Sequence, residues 1–274
     1  MLCILAIKMS AIAKKWFQVK EYLLFQWKAG NRHSVHSPFV FELCERVFED
    51  KRKFHAFHEI DQLRKQRSLE TGKVKIIELG AGSKHNEDRE RSVGDLVKNV
   101  AIPAKYGEVL FKLVDVLQPS TILEMGTSIG FSGLYLHKAR QKAPMITLEG
   151  NPFVAHIAQQ HFKQLNAEVI QIKVGDFKDT LSESLERLQT VGLAFIDGNH
   201  TYEATKDYFE KIFPYVNENS CLIFHDIHWS KGMGKAWDEI SKDNRVVFSI
   251  DLFEMGLVFF NKGVPKQHFL LKVK

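Results

Sequence analysis

The stretch Thr121-Ile-Leu-Glu-Met-Gly-Thr-Ser-Ile-Gly-Phe-Ser132 decides the fold. An apolar run ends in a tight glycine turn, and a helix starts beyond it. Gly126 and Gly130 let the backbone pass close to a ligand, and a helix N-terminus offers free N–H groups to a carboxylate or phosphate. A dinucleotide fingerprint, GxGxxG, would need glycine where this chain has Ser128. Taken alone, the stretch also reads as a plain strand–helix turn with glycine for packing. The next apolar run, Ile146-Thr-Leu-Glu149, tips the balance. It sets an acid at a strand tip about twenty residues after the loop, the position that binds both hydroxyls of a ribose. Glu149 is therefore the foremost candidate binding residue.

Outward from this loop the rhythm is regular. Apolar runs recur at 121–125, 145–149, 168–173, 192–197 and 220–225, with helical stretches at 131–142, 152–165, 178–189, 201–215 and 231–241. That alternation predicts βαβ units, an α/β doubly wound sheet of mainly parallel strands. Val246–Asp251 and Leu257–Asn261 are too close for a crossover helix, so they must close the sheet as an antiparallel hairpin. Upstream, 105–118 reads as a helix, with Val109, Leu110, Leu113, Val114 and Leu117 on one face.

The first quarter of the chain differs. Residues 10–28 carry Ile12, Trp16, Val19, Leu23 and Trp27 at helical spacing with lysines between them. This stripe could lie on a membrane, but docking of the stripe on the chain's own domain is the expectation. Helices follow at 39–48 and 53–70, and Val74–Leu79 is a strand candidate. The glycine pair in Gly80-Ala-Gly-Ser83 runs into charge rather than an acidic strand tip, so 79–92 is read as a loop near a substrate entrance. The domain reading is a helical extension or cap with a polar loop over 1–103 and a catalytic domain over 104–274.

Composition bounds the partners. The 274 residues hold 38 basic and 33 acidic side chains, a net charge of +5. Residues 1–70 carry 13 basic and 8 acidic groups, so the whole surplus sits there. Nucleic acid is not the expected partner. A surplus this small reads first as a solvated basic face; if the chain is an enzyme, an acidic or phosphate-bearing acceptor under the cap is the one to test first, and a homodimer is compatible with such a domain. Three scattered cysteines argue against disulfides and cysteine zinc sites. The opening seven apolar residues suit neither a signal peptide nor a membrane span, Met9 is an alternative start, and the expected location is cytoplasmic.

Together these motifs resemble the class I S-adenosylmethionine-dependent methyltransferases, in the branch of catechol and caffeoyl-CoA O-methyltransferases. The first motif of that branch, Glu-Leu-Gly-Thr-x-x-Gly-x-Ser, is matched by Glu124-Met-Gly-Thr-Ser-Ile-Gly-Phe-Ser132. The resemblance spans roughly 104–262 and implies a Rossmann-like fold. It implies that Gly126, Thr127 and Gly130 line S-adenosylmethionine, that Ser132 holds its methionine carboxylate and that Glu149 binds its ribose. Asp176 and Phe177 would frame the adenine, although Asp176 reads equally as a helix N-cap. Asp197 and Asp226 match positions that hold a divalent cation such as magnesium, with Asp197 also beside the cofactor. The family's third ligand, Asn, is replaced here by Ile227, leaving His225, His228 or Asn199 to assist.

The chemistry implied is in-line methyl transfer to a small-molecule acceptor, at oxygen, with a histidine removing the hydroxyl proton. His200 is the preferred base and His225 the substitute. Trp229 should border the acceptor, and Trp237 should be core. Two other readings compete: a non-catalytic binding module of the same fold, and an NAD-dependent oxidoreductase. The second is disfavoured by the absent GxGxxG and by the terminal hairpin.

Overall fold

The computed structural model describes residues 2–77, 89–261 and 263–273. It begins with α1 (Leu2–Lys28), α2 (Pro38–Leu43), which runs into a π-helical turn at Cys44–Phe48, and α3 (His55–Arg67). A small antiparallel pair follows, β1 (Lys73–Ile76) and β2 (Arg89–Ser92), then α4 (Val93–Asn99) and α5 (Ala104–Leu117). The alternating part is β3 (Ile122–Met125), α6 (Phe131–Ala139), β4 (Met145–Glu149), α7 (Pro152–Gln164), β5 (Gln171–Val174) and α8 (Phe177–Leu188). It continues through β6 (Leu193–Ile196), α9 (Tyr202–Ile212), β7 (Cys221–His225) and α10 (Lys231–Lys242). The chain ends in β8 (Phe248–Asp251), β9 (Met255–Phe259) and β10 (Gln267–Leu270).

Eight strands form one sheet in the order β10-β8-β9-β7-β6-β3-β4-β5. All neighbours are parallel except β9, which runs antiparallel to both β7 and β8. The predicted hairpin is thus present, with its second strand inserted between the first and the parallel set. Chain order reverses between β3 and β6, which opens a crevice at the carboxyl ends of those strands. The local reasons for the helices are ordinary. Asn151, Asp176, Thr201 and Ser230 each accept a backbone N–H at a helix start, and Pro152 takes the first position of α7.

Strand side chains alternate between two cores. Ile122, Phe195, Ile223, Leu257 and Phe259 face one side, where α2, α3, α5, α6 and α7 lie. Leu123, Met125, Ala194, Phe224 and Val258 face the other, against α8, α9 and α10. Val40, Leu43, Phe48, Ile60 and Leu63 of the first quarter are buried in the first of these cores. Trp237 is buried in the second, as expected, and Cys221 packs as a small apolar residue.

Several expectations need correction. Residues 89–92 are a strand paired with 73–76, not loop, while Gly80-Ala-Gly-Ser83 lies outside the described residues. The strand expected over 168–173 occupies Gln171–Val174, because Asn166 takes a left-handed backbone and a turn fills the approach. The final strand β10 has no local signal in the sequence. The largest change concerns α1. Its docked side is Lys14, Phe17, Gln18, Glu21 and Phe25, whereas the expected stripe of Trp16, Val19, Leu23 and Trp27 is exposed. Gln18 Nε2 donates to the Trp229 carbonyl at 3.0 Å, and Phe25 packs on Phe253 with ring centroids 5.5 Å apart.

β9 is buried on both faces, so its side chains have little room to relax. Leu257→Ala should cost about 2–5 kcal/mol, the range for truncating a buried leucine. Urea denaturation of the variant against the parent chain measures it through the transition midpoint.

Candidate functional site

The site assembles where β3, β4, β6 and β7 end. Gly126 leaves β3 with φ of 102°, and a Cβ there would run into the carbonyl oxygen of Asp197 at the end of β6. Only glycine allows the two strand ends to close so tightly. Gly130, with φ of 86°, faces Phe162 of α7, so a side chain would push α6 and α7 apart. Three further residues beyond these strands hold left-handed backbone: Ser128, Asn199 and Asp226. Such backbone in non-glycine residues is uncommon and gathers at functional sites.

Glu149 stands at the tip of β4, as its position predicted. Its Oε2 accepts the Ser128 N–H at 2.7 Å, and its Oε1 accepts the Asn151 N–H at 2.9 Å. Burial raises its pKa, and those backbone N–H groups pull the other way. A carboxylate has room for about four hydrogen bonds, so accepting capacity remains for a ligand.

Beneath the glycine turn lies a polar chain that sequence reasoning missed. Thr147 Oγ1 donates to Glu124 Oε2 at 2.6 Å, so the 2.6 Å contact between Thr127 and Thr147 must be donated by Thr127. Ser132 also hydrogen-bonds Glu124. Glu124 is fully buried, which pushes its pKa up to about 8 against the opposing pull of Ser132 and Thr147. Its Oε1 has no partner among the described residues. The available signal was a lone acid inside a strand buried at every position. The hydroxyls of Thr127 and Ser132, expected to line the cofactor and to hold its carboxylate, are thus hydrogen-bonded within this chain.

Asp176 caps α8, accepting the Lys178 N–H at 2.9 Å, and is exposed. Phe177 lies against Gly198 and meets Tyr208 edge-on at 6.1 Å. On the other side of the crevice, His225 Nδ1 donates to Asp197 Oδ1 at 2.9 Å. His200 Nε2 lies 3.6 Å from Asp197 and 3.8 Å from Asp226. Burial pulls the His225 pKa down, but Asp197, Asp226 and Glu254 outweigh it and raise it to about 9. Asp197 is lowered, with His225 and His200 overcoming its burial. Asp197, His225 and Asp226 each present a ligand atom within 4.8 Å of the others, a spacing that a metal ion could bridge.

The other metal candidates are engaged elsewhere. His228 Nε2 pairs with Asp251 at 2.9 Å, and its ring stacks on Phe253. Asn199 donates to the Tyr208 hydroxyl at 3.4 Å. Trp229 sits under the N-terminal helix, with Lys14 Nζ 3.5 Å from its ring centroid. Burial lowers the Lys14 pKa and Asp226 raises it, which places this amine within electrostatic reach of the acidic group. No signal in the sequence joined Lys14 to Asp226.

Residues 123–227 match the family model described as a methyltransferase domain. An 84-residue stretch is 32% identical to the catechol O-methyltransferase of Mycobacterium tuberculosis, covering 30% of this chain and 38% of that protein. A protein of Sinorhizobium fredii is 23% identical over 59% of this chain and 19% of its own length. The chain thus spans well under half the length of these curated relatives. The fold is shared with the O-methyltransferase of Bacillus cereus solved with SAH, with a TM-score of 0.55 and 16% identity over 76% of this chain and 92% of that one. It is shared too with TomG of Streptomyces achromogenes solved with SAM, with a TM-score of 0.54 and 17% identity over 81% and 95%. The family match runs from β3 to just beyond β7, across every strand end that builds the crevice, so the part of the chain that builds the site is the part similar to a methyltransferase domain.

Proposed function

We propose that this protein transfers a methyl group from S-adenosylmethionine to an oxygen of a small-molecule acceptor. The observation that carries the reading is the arrangement at the switch point. A glycine turn closed on the Asp197 carbonyl and the Glu149 carboxylate stand on one side, and acids with two histidines stand on the other. The residues fit the cofactor: Glu149 keeps accepting capacity at the tip of β4, and Gly126 and Gly130 turn the main chain through positive φ beside it with no side chain in the way. When bound, S-adenosylmethionine supplies a methyl group made electrophilic by its sulfonium.

The chain's own residues position and deprotonate. Glu149 binds the ribose hydroxyls, and Gly126 with Gly130 lets the main chain approach the cofactor. Phe177 and Asp176 frame the adenine. His200 takes the acceptor's proton, and the two carboxylates near its Nε2 stabilise the imidazolium that results. His225 is less suited, since its Nδ1 is committed to Asp197 and its side chain is more enclosed, 12% exposed against 28% for His200. Asp197 and Asp226 hold a divalent cation in the same reading; magnesium keeps several waters, so two carboxylates meet its needs. Lys14, held over Trp229 beside this group, supports an acidic or phosphate-bearing acceptor.

Labelled methyl transfer to fractions of a metabolite extract tests the activity, and cofactor binding with no transfer to any fraction would leave a non-catalytic module. Glu149→Ala should weaken S-adenosylmethionine binding by about 10- to 100-fold, the weight of hydrogen bonds to a charged group, as read by calorimetry. His200→Ala should lower turnover by about 10²- to 10⁴-fold with cofactor affinity unchanged; near-normal turnover would remove it as the base. Chelation should suppress turnover and added magnesium restore it, whereas indifference to both would take the cation out of the mechanism.

A further inference from the structure

α1 carries two stripes of helical period, and the wrong one faces inward for a simple docking helix. The inner stripe, Lys14, Phe17, Gln18, Glu21 and Phe25, is mixed in character. The outer stripe holds Trp16, Val19, Leu23 and Trp27, at 71%, 51%, 62% and 81% exposure. These side chains span about 16 Å of helix axis at 1.5 Å per residue. Isolated exposed apolar residues need no explanation, but an ordered row ending in two tryptophans does.

Charge selects the occupant. Lys15, Lys20 and Lys28 flank the exposed row, while the helix's one acid, Glu21, turns inward to within 3.9 Å of His228. Beside the same helix a cleft of about 850 Å³ adds Lys231, Lys235 and Lys266 to Lys20 and Lys28. The three acids that line it are already engaged: Asp251 and Glu21 by His228, and Asp238 by Lys242. Tryptophans with lysines on an exposed amphipathic helix match a lipid surface with anionic headgroups, where the rings enter the interface and the amines meet phosphates. No helix among the described residues is long and apolar enough to cross a membrane, so α1 would lie on the surface.

We propose that the outer face of α1 docks the protein on an anionic lipid surface, a property separate from the methyl-transfer reading. Sedimentation of the full chain with vesicles tests it. Vesicles of equal phosphatidylglycerol and phosphatidylcholine should carry the protein down, pure phosphatidylcholine should not, and 0.5 M salt should weaken the binding. Tryptophan emission should shift to the blue on binding. Trp16→Ser/Trp27→Ser and, separately, Lys15→Glu/Lys20→Glu should each lower vesicle affinity at least tenfold, while S-adenosylmethionine binding by calorimetry is unchanged. No sedimentation, equal binding to both vesicle types, or affinity unchanged in both variants would overturn the proposal. So would a stable dimer in solution that the tryptophan variant dissociates, because the face would then meet a second copy of the chain.

Discussion

The site depends on one close approach, the backbone of Gly126 against the carbonyl of Asp197. β3 and β6 are sequence-distant neighbours whose following loops diverge to opposite sides of the sheet. If the two strand ends were held further apart, the turn after β3 and the acid after β6 would no longer share one crevice. The glycine therefore acts twice: it reverses the chain with a positive φ, and it leaves no side chain between the strands. Asp197 N–H donates to the Met125 carbonyl at 2.8 Å, so the ladder continues right up to this contact. The acid is thus delivered from the hydrogen-bonded end of a central strand.

Beneath that contact the buried carboxyl of Glu124 sets the electrostatics. Placed inside an otherwise apolar strand, it escapes the cost of burial mainly by keeping its proton, and Thr147 and Ser132 supply hydrogen bonds. A neutral Glu124 leaves Glu149 and Asp197 free of a third negative charge close by. The floor of the crevice is then polar without adding repulsion to the two acids that line it.

Much of this was legible because it follows from period and punctuation. The βαβ rhythm, the glycine turn, Glu149 at a strand tip and the closing hairpin each have a local cause in a few adjacent residues. What was not legible depends on long-range choices. β2 is highly charged, Arg89-Glu-Arg-Ser92, and is a strand only because Lys73–Ile76 pairs with it. β10 exists because the edge of β8 offers a free ladder. His228 looked like a metal candidate by its distance from Asp226 in sequence, yet the turn carries it away to Asp251 and Phe253. His200, by contrast, approaches both acids because Asn199 bends the chain back through left-handed backbone.

The N-terminal helix shows the same limit most sharply. Helical spacing reports that residues share a face; it does not say which face meets the protein. The apolar stripe of α1 was the natural one to bury, but the surface that receives the helix is not simply apolar. It offers the Trp229 carbonyl and ring, the His228 imidazole and the Phe253 ring. Gln18, Lys14, Glu21 and Phe25 answer those groups one by one, whereas a row of Trp, Val and Leu would leave the carbonyl and the imidazole without their present partners. Specific polar complementarity thus fixes the phase of the helix, and the hydrophobic row is left outside as a consequence. The same choice sets Lys14 over the Trp229 ring, within electrostatic reach of Asp226, so the docking of α1 also bears on the charge at the mouth of the crevice.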